Sequence, residues 1–256
     1  MHLIDRHAYS NRLRRVDPAQ KGGLAVLTIL LCLLLDRPTV GLLAVAWMLA
    51  LTTLWAQVPP LAFGRALLAE GLFLLLSVVG VALSVSLGQP AATAAAWRIG
   101  PLWFSTSSEA LALALRLLSR ALGCAAALNF LILTTPLTDL IELLRRLRVP
   151  ETLIELMTII YRAIFVLLES LDRMRTAQDA RLGYRDARRA MRSAALLGSQ
   201  LFLDAYRRSK RLQITLESRG LDGPLRVIAL DYTSDRRVWW IGAALVASLM
   251  LAGVAL

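Results

Sequence analysis

The chain has 256 residues, of which 57% are hydrophobic, and yet its formal net charge is +11. These properties fit together only if apolar and charged residues occupy different segments, and most of the arginines indeed fall within residues 139–237. Arginines beside long apolar segments follow the positive-inside rule of membrane proteins, so the charge gives no reason to expect nucleic acid as a partner.

Five apolar segments with almost no charge predict helices that cross a membrane, because a backbone in lipid must satisfy its own hydrogen bonds. In chain order they are residues 22–35, 39–56, 66–87, 109–135 and 238–256. Asp17 and Pro18 form a typical helix start before the first segment. That segment is short, since its fourteen residues extend about 21 Å against a hydrocarbon core of roughly 30 Å.

The loop charges predict the orientation of the chain. The basic residues 1–21 indicate a cytoplasmic N-terminus, and five spans then place the C-terminus outside. Residues 88–108 form an outer loop of small residues whose aromatic side chains, Trp97, Trp103 and Phe104, suit the membrane interface. We therefore expect an all-α, multi-pass protein of the cell (inner or plasma) membrane.

Two arginines lie inside the fourth predicted span. Arg116 and Arg120 are four residues apart, so they share one helix face near the outer end of the span. Two interpretations remain open: the side chains extend to the membrane boundary, or they pair with an acid, for which Glu70 and Glu109 are the candidates.

Residues 153–171 also allow two interpretations. They are apolar enough to resemble a sixth span, but Glu155, Arg162 and Glu169 recur every seven residues and so lie on one stripe. A lipid-facing span would not carry such a stripe. The pattern favours a helix at the inner membrane surface or packed beneath the spans.

The segment before the last span is predicted to be cytoplasmic and helical. A short amphipathic helix over residues 138–147 precedes two long helices over residues 151–181 and 186–219. About 30 residues of helix extend roughly 45 Å, which suits a rigid lever. The second long helix has an apolar face at three-four spacing, formed by Ala187, Met191, Ala194, Gly198, Leu201, Ala205, Leu212 and Leu216. The predicted domains are residues 1–135 (tail and four spans), 136–237 (coupling helices) and 238–256 (last span).

Signals of an enzyme are nearly absent. The sequence has no Gly-rich phosphate-binding loop followed by Lys and Ser or Thr, so we expect no nucleotide hydrolysis by this chain. His2 and His7 lie in the N-terminal tail without a cluster of Cys or carboxylates, and Cys32 and Cys124 are expected to be small buried side chains. We therefore predict no catalytic residue, no cofactor and no metal site.

The two long helices end in the same way. The first ends in Ala180-Arg181-Leu182-Gly183 and the second in Ser218-Arg219-Gly220. Each arginine could serve only to complement the helix dipole, with Gly183 and Gly220 as left-handed caps. The repetition favours a second interpretation, because small neighbours let a guanidinium enter a partner's groove and bind carboxylates with both nitrogens. Two equivalent tips suit a partner with two equivalent grooves, such as a dimeric ATPase.

These residues give the chain a family resemblance. It resembles the transmembrane T component (EcfT/CbiQ type) of energy-coupling factor transporters, in the cobalt/nickel-uptake group. The resemblance covers nearly the whole chain and includes Asp17-Pro18 with Lys21, residues 134–140, Val149-Pro150, Tyr161-Arg162, residues 177–185 and residues 218–223. The two X-Arg-X segments are its specific part. The commoner tip has glycine directly after arginine, as at Arg219, whereas Leu182 follows Arg181.

The resemblance implies a function and a set of partners. Such a chain is the non-catalytic coupling subunit of an ATP-driven importer for cobalt or nickel. It joins two ATP-binding-cassette ATPases to a metal-binding membrane subunit, with or without a small accessory membrane subunit, in the lipid bilayer. The residues placed in the ATPase grooves would be Ala180, Arg181 and Leu182, and Ser218, Arg219 and Gly220. The alternative is a self-contained secondary transporter or channel, which would need polar groups in its spans.

Overall fold

The computed structural model describes residues 8–9, 11–82, 84–86, 95–99, 102–106, 108–220, 232 and 235–254. His2, His7 and residues 221–223 of the resemblance lie outside these ranges, as do the side chains of Trp97, Trp103 and Phe104. The chain forms two compact units, one of Met1–Leu140 with Leu230–Leu256 and one of Ile141–Ala229.

Helices make up most of the described chain, as predicted. In chain order they are α1 (Pro18–Leu34), α2 (Pro38–Ala50), α3 (Pro60–Ala82), α4 (Ser108–Thr134), α5 (Leu137–Arg146), α6 (Glu151–Ala180), α7 (Ala187–Ser218) and α8 (Arg236–Val254). A 3-10 turn, Arg12–Arg15, precedes α1, and a π-helical turn, Leu51–Trp55, extends α2. The predicted helix start is confirmed, since an oxygen of the Asp17 carboxylate accepts a hydrogen bond from the backbone N–H of Ala19 at 2.9 Å and Pro18 is the first helical residue.

Strands lie in the predicted outer loop, residues 88–108, and also in the last residues of the predicted third span, residues 66–87, whose helix ends at Ala82. Three short strands, β1 (Ser84–Ser86), β2 (Ala95–Ile99) and β3 (Leu102–Thr106), form an antiparallel sheet in the order β1-β3-β2. β2 and β3 are paired from Ala95 opposite Thr106 to Ile99 opposite Leu102. A two-residue connection between paired strands is typical of a hairpin, a feature that the small-residue composition of this segment did not reveal.

Three of the described helices are long and apolar enough to cross a membrane: Pro38–Trp55, Pro60–Gly80 and Ser108–Thr134. Pro18–Leu34 is a shorter apolar helix. The 30-residue α6 is not in this group. The span count of five and the location of residues 153–171 beneath the membrane stay predictions.

The core of the first unit draws on all five of the apolar helices. Its buried side chains include Leu31 of α1, Met48 of α2, Phe63 of α3, Phe130 of α4 and Leu245 of α8. α4 packs against α1, α2 and α3, and α8 packs against α1 and α2. The outer surfaces stay apolar, as a lipid environment requires. In α3, for example, one face exposes a row of large apolar side chains, Leu68, Leu72, Phe73 and Leu76.

Two polar pairs join separate segments of the first unit. The Asn129 amide donates a hydrogen bond to Glu70 Oε2 at 2.8 Å, and Arg120 Nη1 lies 3.7 Å from Asp36 Oδ1. Of the two interpretations left open, pairing with an acid applies to Arg120, but the acid is Asp36 and not Glu70 or Glu109. Asp36 lies between the first two apolar segments in the sequence, and only the packing of α4 beside this turn reveals it as the partner.

The tightest helix contact joins α2 to α4 through two glycines. A Cβ on Gly41 would overlap the backbone carbonyl of Ser119 and lie 3.0 Å from the backbone N of Arg120. A Cβ on Gly123 would lie 3.2 Å from the Cα of Gly41 and 3.0 Å from Cys32 Sγ. Helices in lipid associate through such close approaches because there is no hydrophobic drive between them.

We predict that Gly41→Ala destabilises the bundle by about 1–3 kcal/mol, because the added methyl group must separate two backbones. Gly242→Ala in α8 is the matched control, since a Cβ there meets no atom within 4 Å. Thermal unfolding of the detergent-solubilised protein measures both variants. Equal melting temperatures for the two would contradict the role of this contact.

Candidate functional site

The two helix ends that the sequence singles out have nearly the same backbone. Arg181 follows the last residue of α6 with φ −94° and ψ 14°, and Arg219 follows the last residue of α7 with φ −92° and ψ 6°. The N–H of Arg181 reaches Gln178 O at 3.2 Å, and that of Arg219 reaches Leu216 O at 3.1 Å. Both arginines therefore leave their helices in the same direction relative to the helix axis.

The residue after each arginine is left-handed. Leu182 has φ 55° and Gly220 has φ 66°, and their N–H groups bond to Asp179 O at 2.9 Å and Glu217 O at 3.0 Å. The interpretation of Gly183 as the left-handed cap was wrong, because Leu182 occupies that position. The difference in sequence between the tips is thus not a difference in backbone shape, although leucine adopts this conformation at a cost of about 1–2 kcal/mol.

Gly183 makes hydrogen bonds to both α6 and α7. Its N–H donates to Gln178 O at 2.9 Å, and its carbonyl accepts a hydrogen bond from Ser193 Oγ of α7 at 3.0 Å. A Cβ on Gly183 would lie 2.9 Å from Gln178 O. The first tip is therefore folded tightly onto α6 and anchored to α7.

All six of the tip residues are exposed: Ala180, Arg181, Leu182, Ser218, Arg219 and Gly220. Within the described part of the chain, neither tip guanidinium makes an ion pair or a side-chain hydrogen bond. Other arginines on the same helices are paired, as in Arg173–Glu169 at 2.8 Å and Arg208–Asp204 at 3.0 Å. Other arginines are exposed as well, so the feature that distinguishes Arg181 and Arg219 is their repeated backbone geometry.

A polar network joins α6 to α7. Arg208 donates to Asp204 Oδ2 on its own helix and to Ser170 Oγ of α6 at 3.2 Å, and Arg173 donates to the same hydroxyl at 3.3 Å. The hydrogen bond from Arg208 holds the pKa of the Asp204 carboxyl below its usual range. Beside this network lies a cavity of about 310 Å³, also lined by Met174, Gln200 and Arg207.

The predicted apolar face of α7 is only partly covered, since Leu201 and Ala205 are half-buried and other members are exposed. Met191 is 75% exposed and Leu212 is 42% exposed, whereas Ser193 is buried. Within the second unit, α7 thus presents serine and charged side chains to α6 and leaves much of its apolar face uncovered. The spacing of apolar residues predicted which side of α7 is apolar, but not which residues that side contacts.

No group of three or more His, Cys, Asp or Glu side chains that could hold a metal is found among the described residues. The two cysteines, which the sequence places in separate segments, lie on helices α1 and α4 that pack together, and Cys32 Sγ is close to Gly123, the neighbour of Cys124. Both lie in apolar helices of the first unit, away in sequence from the tips.

Comparison with known proteins gives a family match. The family described as cobalt transport protein CbiQ matches residues 10–228. The chain is 36% identical over 159 residues to the cobalt transport protein CbiQ of Rhodobacter capsulatus, covering 62% of this chain and 65% of that one. It is 29% identical over 229 residues to the protein of the same name from Salmonella typhimurium, covering 86% and 97%. It is also 29% identical over 222 residues to the putative fused cobalt transport protein CbiMQ of Methanocorpusculum labreanum, covering 87% of this chain and 37% of the fused one.

We predict that Leu182→Gly stabilises the protein by about 0.5–1 kcal/mol, because glycine adopts the left-handed backbone without strain but costs more chain entropy. Leu203→Gly, in the middle of α7, is the control and should destabilise by about 1 kcal/mol. Thermal unfolding measures the stability of both variants. A loss of stability in Leu182→Gly equal to that in Leu203→Gly would show that residue 182 is not held left-handed.

Proposed function

The chain belongs to the CbiQ family of cobalt transport proteins, and from this membership we propose that it is the membrane coupling subunit of an ATP-driven importer for cobalt or nickel ions. In this proposal α6 and α7 are coupling helices in the cytoplasm. Their tips transmit movement of two ATP-binding-cassette ATPases to the membrane bundle, which passes it to a metal-binding membrane subunit.

The observation that carries this proposal is the equivalence of the two tips. Two arginines with the same backbone geometry, each followed by a left-handed residue, suit a pair of equivalent grooves on a two-fold symmetric ATPase dimer. The guanidinium is a planar group that pairs with carboxylates through two parallel hydrogen bonds. Small residues precede both arginines, Ala180 and Ser218, so nothing bulky shields the approach from that side.

The comparisons support a membrane partner. The relative from Methanocorpusculum labreanum is named as a fused protein, and this chain matches 37% of its length. A second component in the same polypeptide is consistent with a partner that stays beside this chain. We propose that this partner holds the metal ion, with the N-terminus of the present chain in the cytoplasm and its C-terminus outside.

The alternative of a self-contained transporter or channel has less support. Such a protein needs polar groups in its spans that are free to bind a solute or carry protons. In the described first unit, Glu70 is bound by Asn129 and Arg120 lies beside Asp36. These groups stabilise the bundle by pairing with each other, which is a structural role.

Truncation of the tips should uncouple the importer. Arg219→Ala should cost roughly 2–4 kcal/mol of ATPase docking, as at an interface hot spot, and the double variant with Arg181→Ala should largely abolish uptake. Arg219→Lys should rescue poorly, because an ammonium cannot reproduce the planar fork. The measurements are ATP-dependent metal uptake and copurification of the ATPases in detergent.

Arg175→Ala provides the matched control, since Arg175 is an exposed arginine of α6 outside the tip. It should leave uptake and copurification unchanged. If the arginines only complement the helix dipoles, each loss should be a few tenths to about 1 kcal/mol, and the Arg219→Lys variant would work nearly as well as the wild-type chain. Full uptake in the double alanine variant would rule out the tips as the coupling site.

We expect the purified chain to hydrolyse no ATP on its own, because the sequence lacks a phosphate-binding loop. The measurement is phosphate release by the isolated chain, compared with the same preparation after its ATPases have been added. Turnover that follows this chain through further purification, in proportion to its amount, would contradict a coupling role.

A further inference from the structure

A buried lysine lies where the bundle meets α5. Lys21, in the first turn of α1, is only 2% exposed. Its ammonium donates one hydrogen bond to Leu13 O and one to Thr134 O, each at 3.2 Å. A buried amino group needs hydrogen-bond partners, and these two backbone carbonyls supply them.

The lysine acts on the C-terminal end of α4. Thr134 is the last residue of α4, and the carbonyls of a final helical turn have no partners within their helix. The Asn11 amide adds a second donor to the same turn, reaching Thr134 O at 3.1 Å and Leu133 O at 3.4 Å. The positive charge also faces the negative end of the α4 dipole.

An acidic residue lies just after Pro136, at the start of α5. Asp139, in the first turn of α5, is 2% exposed, and its carboxylate attracts the Lys21 ammonium. Thr138 Oγ1 donates to Asp139 Oδ1 at 3.2 Å. The other carboxylate oxygen, Oδ2, and the Thr135 hydroxyl are buried and have no hydrogen bond to the described residues. Buried polar atoms without partners are rare, and here two of them lie within one short stretch of chain.

The junction between α4 and α5 needs a side-chain connection to hold the two helices in place. Pro136 carries no N–H, so the helical ladder is broken between Thr135 and Leu137. α5 begins in the first unit and ends in the second, so the chain passes from one unit to the other within the helix that follows this junction. Without a side-chain connection, a displacement of α5 could be absorbed by bending at the proline.

We propose that Lys21 is a positioning residue that fixes the end of α4 to the start of α5, so that movement of the coupling helices is transmitted to the bundle. This inference rests on the proposed function. Lys21 bonds the end of α4 directly, and Asp139 at the start of α5 is close enough for its charge to act on the ammonium.

The test compares Lys21→Met, which keeps the side-chain length without the charge, with Asp139→Asn, which keeps the shape. Lys210→Met, at an exposed lysine of α7, is the matched control. The complete complex is reconstituted in vesicles, and metal uptake and ATP hydrolysis are measured in the same sample. We expect both test variants to assemble with the ATPases, while the uptake per ATP hydrolysed falls about tenfold, and Lys210→Met to keep the wild-type ratio.

The outcomes separate this inference from the proposed function. If wild-type chain does not copurify with the ATPases, the proposed function fails and the inference fails with it. If the complexes assemble but the ratio in Lys21→Met equals that of wild type, or uptake and hydrolysis fall in proportion, only the positioning role is overturned. Should Lys21→Met not accumulate in the membrane, Asp139→Asn decides alone, and an unchanged ratio there overturns the proposal.

Discussion

The carbonyls at the end of each helix must find hydrogen-bond donors, and the way they find them shapes the parts of this chain that matter most. At the end of α4 the donors come from distant residues, the Lys21 ammonium and the Asn11 amide. At the ends of α6 and α7 they come from the next few residues of the chain, which turn left-handed after the arginine. The first solution fixes a helix end within the bundle, whereas the second leaves an arginine exposed.

The same requirement explains why two different sequences give equivalent tips. A left-handed residue after the arginine lets its N–H reach back to the helix, and glycine does this at Gly220 without strain. At the first tip Leu182 takes the same conformation, and the hydrogen bond from Ser193 to the following glycine helps to hold it there. A partner that recognises the arginine and the backbone around it would meet the same shape twice.

The structural features that could be predicted from the sequence are those with a local cause. The apolar segments, the helix start at Asp17 and the two arginine-ended helices all follow from the nature and spacing of neighbouring residues. The partner of Arg120, the approach of Cys32 to Gly123 and the burial of Lys21 could not be predicted, because each depends on segments far apart in the chain. Lys21 was the hardest case, since a lysine before a span satisfies the positive-inside rule whether or not it is buried.

Different kinds of interaction stabilise the interior of each unit, and this difference suits their proposed roles. In the first, Gly41 and Gly123 let backbones touch, and such close packing has little tolerance for displacement. In the second, α6 and α7 are joined by hydrogen bonds among partly exposed side chains such as Arg173, Arg208 and Ser170. Exposed ion pairs typically contribute less than about 1 kcal/mol each, so that pairing can adjust at small cost. A rigid bundle and an adjustable pair of long helices are what a subunit needs if it has to receive movement at its tips and deliver it to a membrane partner.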